Sequence, residues 1–305
     1  MKSRRIFLKE GAMALTAMSI GNPMQLLAGE NSILPFSKVG AGKLTILHTN
    51  DLHNQLNSTF YKGRLSGGFY KTTHCLSALK NDTPSLLLDC GDICNGDPND
   101  EALHESTIQL VKQLGYDAVL LGNRDFETGI DYVQHHWEKS KVTLLNSNTK
   151  FKNTWLNASQ QPYKIIWKEN IKIGILAASL DISNLIPSMR SAMYFKDPIV
   201  ELNKIAGFLK EQEKCNIVIC LSHLGFKNTE AIDDITLATR SENIDVILGG
   251  HSHTFMSAPY IVLNKRNREV IVNHAGCKGL EIGQLMFEFN GHGEKANVQF
   301  NNIMV

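Results

Sequence analysis

The sequence predicts a layered α/β domain, and three observations carry that expectation. Six short apolar runs, at 44–48, 85–88, 117–121, 142–145, 216–221 and 244–248, each lead directly into Asp, Asn or His. Segments with helical periodicity separate most of them, and paired apolar runs follow without intervening helices. Strands alternating with helices imply a largely parallel sheet, and the paired runs imply antiparallel additions to it.

Taken in order, the helical segment at 67–80 places Phe69, Leu76 and Leu79 on one face, and 101–114 does the same with Leu103, Ile108, Leu110, Val111 and Leu114. Gly115 supplies a left-handed stop for the second. Further helices are expected over 129–140, 198–213 and 229–242, the middle one opening on Pro198, which the first helical turn tolerates. The runs 163–167 and 171–177, joined by Lys168-Glu169-Asn170, read as a hairpin, and 260–263, 269–272 and 282–289 as closing strands. There is no internal repeat, so one domain is expected over residues 43–300.

Composition narrows the function classes. With 305 residues, 43% hydrophobic and 20% charged, the chain can bury one sizeable core. Its formal charge is +1; loss of residues 1–28 would remove Lys2, Arg4, Arg5, Lys9 and Glu10 and leave −2. No basic surplus remains to attract a nucleic acid polymer. No uninterrupted apolar run is long enough for a membrane span in the mature chain.

Ser3-Arg4-Arg5-Ile6-Phe7-Leu8-Lys9, a modestly apolar stretch over 11–20 and small residues near Ala28 have the layout of a cleaved export signal. The paired arginines point to the twin-arginine route, hence to a periplasmic protein exported already folded. A signal peptide over 1–28 is expected. Of the six cysteines, Cys90 and Cys220 fall in or beside strand runs and read as small buried apolar residues; no second Cys or His pair completes a thiolate zinc site around Cys90 and Cys94.

The polar strand ends carry the chemistry. In open α/β sheets ligands bind beyond the carboxyl ends of strands, so Asp51, His53, Asp92, Asn123, His223, His251 and His253 are expected to converge. Alternate residues of an extended tip point the same way, which would pair Asp51 with His53 and His251 with His253. Any one piece alone is weak: Asp51 could be a turn former and His53 a surface residue. Gly249-Gly250 before His251-Ser252-His253 is stronger, because glycines let backbone approach a ligand closely. Mixed carboxylate, amide and imidazole donors suit Zn²⁺ or Mn²⁺ rather than a soft thiolate metal. Two such ions about 3.5–4 Å apart can activate a bridging water as hydroxide and clamp a phosphoryl group. His48 reads as a structural core histidine, and His74, His104, His135, His136 and His292 as helix or loop surface residues.

Ile46-Leu47-His48-Thr49-Asn50-Asp51-Leu52-His53, Gly91-Asp92, Gly122-Asn123, Ser222-His223-Leu224-Gly225 and Gly250-His251-Ser252-His253 closely resemble, in order and spacing, the catalytic domain of the 5′-nucleotidase branch of the calcineurin-like metallophosphoesterases. The resemblance implies a metallophosphoesterase-type β-sandwich flanked by helices. It further implies one metal on Asp51, His53, Asp92 and His253 and a second on Asp92, Asn123, His223 and His251, with Asp92 bridging. The implied activity is hydrolysis of nucleotides or other small-molecule phosphate esters.

Two departures stand out. The family usually reads Gly-Asn-His-Glu-Phe-Asp, where this chain has Gly122-Asn123-Arg124-Asp125-Phe126-Glu127. A guanidinium does not release its proton near neutral pH, so Arg124 can neutralise phosphoryl charge but cannot replace the histidine as a proton donor; its bland role is a salt bridge to Glu127. The chain also ends at Val305, so the base-stacking C-terminal domain of such nucleotidases is expected to be absent, leaving recognition to the phosphate end or to a separate partner chain. A metal-binding subunit that needs such a partner, and a thiosulfohydrolase-like enzyme, are the competing readings.

Overall fold

The computed structural model describes residues 42–82, 85–95, 97–227 and 232–305; the expected signal peptide lies outside them. Two large sheets form the centre. The first runs, edge to edge, Lys295–Met304, Glu281–Phe289, Lys43–Thr49, Ser85–Asp89, Ala118–Leu120, Leu144–Leu145 and Gln160–Gln161. The second runs Tyr260–Leu263, Glu269–His274, Val246–Gly249, Ile217–Ser222, Ile171–Ala178 and Tyr163–Lys168. The α/β sandwich expectation therefore holds, with the six polar tips divided between two sheets, four on the first and two on the second. Around them lie α1 (Phe69–Asp82), α2 (Glu101–Leu114), α3 (Ile130–Trp137), α4 (Thr154–Ser159), α5 (Pro198–Glu211) and α6 (Asp234–Arg240).

The core explains why the central strands read as continuous apolar runs rather than alternating ones. Ile46, Leu86, Leu88 and Leu120 of the first sheet pack against Ile175, Ile219, Leu221 and Leu248 of the second. Their neighbours point outward: Leu47, Leu87 and Val119 pack with α1, α2 and α3 through Leu76, Val111 and Val133. Val218, Cys220 and Ile247 do so against α5 and α6 through Leu202, Leu209 and Leu237. Four layers, helix–sheet–sheet–helix, result.

Parallel pairing sets the register that matters. Thr49 lies opposite Asp89, and Ser222 opposite Gly249, so the ends of adjacent strands stop level with one another. The hairpin expected at 163–177 is present as Tyr163–Lys168 paired antiparallel with Ile171–Ala178. Gly115 closes α2 at φ 64°, Asp197 caps α5 ahead of Pro198, and Asp233 caps α6 by accepting from the Thr236 N–H. The domain extends past the expected limit of 300, because Lys295–Met304 pairs along the whole of Glu281–Phe289. That strand and the short hairpin Thr59–Tyr61/Arg64–Ser66 were not anticipated.

One histidine is placed differently from expectation. His104 is not on the surface: it is 2% exposed beneath Tyr132 and His136, with Nδ1 2.9 Å from the Asp100 carbonyl oxygen. Its position on the inner side of α2, beside Thr107 and Ile108, puts it there. His48 is a core residue as expected, its Nε2 2.9 Å from Asn273 Nδ2, and burial pushes its pKa down to about 3, with His274 adding to the effect. All six cysteines are free, and Cys90 and Cys220 are fully buried.

Candidate metal centre

The seven expected donors gather at one end of the sandwich. Asp51, His53 and His253 offer ligand atoms that lie within 4.8 Å of one another, and so do Asp92, His223 and His251. In the first group His253 Nε2 is 3.5 Å and His53 Nε2 3.8 Å from Asp51 Oδ1, and the two imidazole nitrogens are 2.9 Å apart. In the second, His223 Nε2 is 3.2 Å from Asp92 Oδ2. Asn123 joins it through its Oδ1, 2.9 Å from His251 Nδ1. His53, Asp92, Asn123, Arg124, His251 and His253, together with Asn95, line a cavity of about 320 Å³. Asp51 and His223 are fully buried and reach this group through their contacts with His53 and His253 and with Asp92.

The local backbone is not the extended tip expected. Asp51, His53, Asp92, His251 and His253 all have left-handed backbone, with φ of 53°, 50°, 55°, 71° and 51°. The side chains are aimed by tight turns rather than by strand alternation. Such conformations cost a non-glycine residue about 1–2 kcal/mol each and concentrate at functional sites.

The turns are pinned by hydrogen bonds. The Asp51 N–H donates to Gly91 O and the His53 N–H to Asp92 O, tying the first two strand ends together. The His251 N–H donates to the Asp51 carboxylate, and the Gly250 N–H to Ser222 O. His223 Nδ1 donates to the Cys90 carbonyl at 2.7 Å, which turns Nε2 toward the cavity.

Three residues not singled out from sequence belong to this scaffold. Asn50 Nδ2 donates to Asp51 Oδ2, while its Oδ1 accepts from the Ala275 N–H. Asp125 accepts from the N–H groups of Asp92, Gly122 and Cys94, and so holds two donor turns at once. Burial first, and the Asp92 charge second, push Asp125 up to about 7. Cys277 stands beside His253. Asn50 and Asp125 carried a signal in the sequence only by their places in the two motifs, and Cys277 carried none. Arg124 sits at the rim, with its N–H donating to Asp92 Oδ1 at 2.8 Å and its guanidinium 2.7 Å from Glu127 Oε1.

The electrostatics call for positive charge. His223 is fully buried, and burial alone would lower its pKa; Asp92 and Asp51 outweigh that and push it up to about 10. Its Nε2 nevertheless has no well-directed hydrogen-bond partner. Contact with Asp51 and then with Cys277 pushes His253 up to about 10. An orphaned buried imidazole nitrogen among carboxylates, with mixed oxygen and nitrogen donors in two groups, fits a pair of divalent cations.

The chain is similar to several known proteins. The human 5′-nucleotidase is 27% identical over 314 residues, covering 93% of this chain and 53% of its own length. The Vibrio cholerae 5′-nucleotidase is 30% identical over 291 residues, covering 86% and 52%. The chain thus spans about half the length of these relatives. Among solved structures, a 5′-nucleotidase precursor from Thermus thermophilus shares the fold with a TM-score of 0.75 at 24% identity, over 87% of this chain and 55% of that one. The calcineurin-like phosphoesterase YfkN from Bacillus subtilis does so with a TM-score of 0.69 at 21% identity, over 87% and 91%. The family model described as calcineurin-like phosphoesterase matches residues 44–255, every donor above included, and the chain belongs to that family.

Proposed function

We propose that this chain is an exported, periplasmic dimetal hydrolase of nucleotides or related small phosphate esters. The observation that carries the reading is the convergence of seven donor side chains, from turns far apart in sequence, into two groups around one cavity. The 5′-nucleotidase relatives support the substrate class, and the Ser3-Arg4-Arg5 segment supports export.

In this reading Asp51, His53 and His253 hold one cation and Asn123, His223 and His251 the other, with Asp92 shared; Zn²⁺ and Mn²⁺ both suit the donors. When bound, such a pair would supply Lewis acidity toward phosphoryl oxygens and lower the pKa of a bound water. The Arg124 guanidinium clamps the phosphate. Its present partner, Glu127, is an exposed ion pair worth about 0–1 kcal/mol, so swinging toward an anion costs little. Because Arg124 keeps its proton, the leaving oxygen must take one from solvent, and substrates with good leaving groups should react fastest.

A base-binding partner chain is the second reading, and co-purification of such a chain with this one tests it. The test is elemental analysis of natively exported protein, followed by a phosphate-release screen over AMP, aryl phosphates, UDP-sugars and cyclic nucleotides with and without chelator. Two equivalents of metal and chelator-sensitive phosphate release are expected. A metal-loaded chain that releases no phosphate, alone or with co-purified partners, would end the proposal; sulfate release from a sulfonated carrier would assign the thiosulfohydrolase chemistry instead.

A further inference from the structure

A second buried cluster lies directly behind the donors and has no part in the chemistry above. Asp234, at the start of α6, and His274, at the end of Glu269–His274, are both fully buried. His274 Nε2 is 2.7 Å from Asp234 Oδ2, and the Ser222 hydroxyl donates to Asp234 Oδ1. Ser222 immediately precedes His223. The Asp234 N–H also donates to Gly225 O at 2.9 Å, so the carboxylate residue grips the chain on both sides of that imidazole.

The same pair abuts the other imidazole of the group. A Cβ built on Gly249 would lie 2.1 Å from His274 Nε2 and 2.3 Å from Asp234 Oδ2, so the pair presses on bare backbone two residues before His251. The Gly250 N–H donates to Ser222 O, closing a ring of contacts: Ser222, Asp234, His274, Gly249, Gly250 and back to Ser222. Both imidazoles of the Asp92 group therefore leave from segments that touch one carboxylate–imidazole pair. Among the described residues, no side-chain hydrogen bond links that pair to His53 or His253, and the pressed Gly249 stands two residues before His251 but four before His253. A buried carboxylate–imidazole contact is a poor stability device, since desolvation of its polar groups offsets their attraction, which leaves positioning as its use.

We infer that Asp234 and His274 are positioning residues for the His223/His251 half of the centre: through Ser222 and Gly249 they fix the separation of the two imidazoles and hence the affinity of that half for its cation. The inference rests on the proposed dimetal reading. Outer partners that orient ligands typically change metal affinity about 10–100-fold when removed.

The experiment is Mn²⁺ titration calorimetry on the full chain, with His53→Ala and His251→Ala assigning the two binding steps. In His274→Leu the carboxylate loses its partner, and the step belonging to the His223/His251 half should weaken about 10–100-fold while the other is unchanged. His274→Gln, whose amide N–H reaches the same carboxylate, should restore it. Ser222→Ala, a smaller change, should weaken the same step even where His274→Leu fails to fold. Equal loss at both steps, no loss at either, or a Gln variant no better than Leu would overturn the positioning role. A wild-type chain that takes up no Mn²⁺ would overturn the dimetal reading itself, a result distinct from the others.

Discussion

Gly122 offers the sharpest test of the site, because one methyl group there separates packing from backbone effects. A Cβ at 122 would lie 2.2 Å from Asp92 Oδ1 and 2.5 Å from His223 Nε2. Ordinary contact begins near 3.4 Å, so the carboxylate must retreat by roughly 1.2 Å and the imidazole by 0.9 Å. Sites of this kind tolerate about 0.5 Å, and a displacement near 1 Å costs on the order of 10²-fold in rate. Gly122 does not have left-handed backbone, so Gly122→Ala adds no φ strain. Gly129 is the converse: φ is 95° and nothing lies within 4 Å of a built Cβ. Gly129→Ala should cost about 1–2 kcal/mol of stability and leave the site intact. We expect Gly122→Ala to lose metal affinity and at least about 100-fold in aryl phosphate turnover, and Gly129→Ala to lose stability while keeping both. Calorimetry with Mn²⁺, steady-state phosphate release and thermal unfolding read all three quantities. Full metal binding and turnover in Gly122→Ala would refute the assignment of Asp92 and His223 to the centre.

Other outcomes follow from the same geometry. Arg124→His should raise AMP turnover relative to an aryl phosphate, by up to about 10²-fold if a general acid is restored; an unchanged ratio in competition assays would count against the missing-acid argument. Cation binding must displace the proton that Asp92 and Asp51 hold on His223, whose pKa is about 10. The affinity of the His223/His251 half should therefore rise about tenfold per pH unit from neutrality toward pH 9, with one proton released at pH 8 as its cation binds; calorimetry in buffers of different ionisation enthalpy would show its absence. Asp245 lies 2.7 Å from both Lys210 Nζ and Lys295 Nζ. Burial favours its neutral form, but the two ammonium groups outweigh that and hold its pKa below the usual carboxylate value. Its contribution is therefore present above about pH 4 and fades as pH falls through the folded-state pKa. Asp245→Asn should cost about 3 kcal/mol at pH 7 in denaturant unfolding, and the gap from wild type should narrow in acid.

The sequence spoke most clearly where burial is greatest. Leu86, Leu88, Ile219 and Leu248 face a second sheet while their neighbours face helices, so each run had to be apolar throughout and stood out. What such runs do not record is which sheet they join, since a strand covered on both faces reads alike in either. The strand Lys295–Met304 was missed for the opposite reason: its residues are largely exposed and include Asn297, Asn301 and Asn302, and only pairing with Glu281–Phe289 makes it a strand. The donors were readable because Asp, Asn and His terminate the apolar runs. Their aim was not, because five of them sit in left-handed turns held by Asn50, Asp125 and distant carbonyls, and such contacts leave no local pattern.

Those five left-handed residues also bind function to fragility. Glycine would sit in each turn without steric penalty, so evolution toward a sturdier fold would tend to erase the very side chains that converge on the cavity. His253→Gly, at φ 51°, would relax a turn as it removes a donor. The melting curve of metal-free His253→Gly should then run counter to its activity, the lost imidazole trading catalysis for thermal endurance.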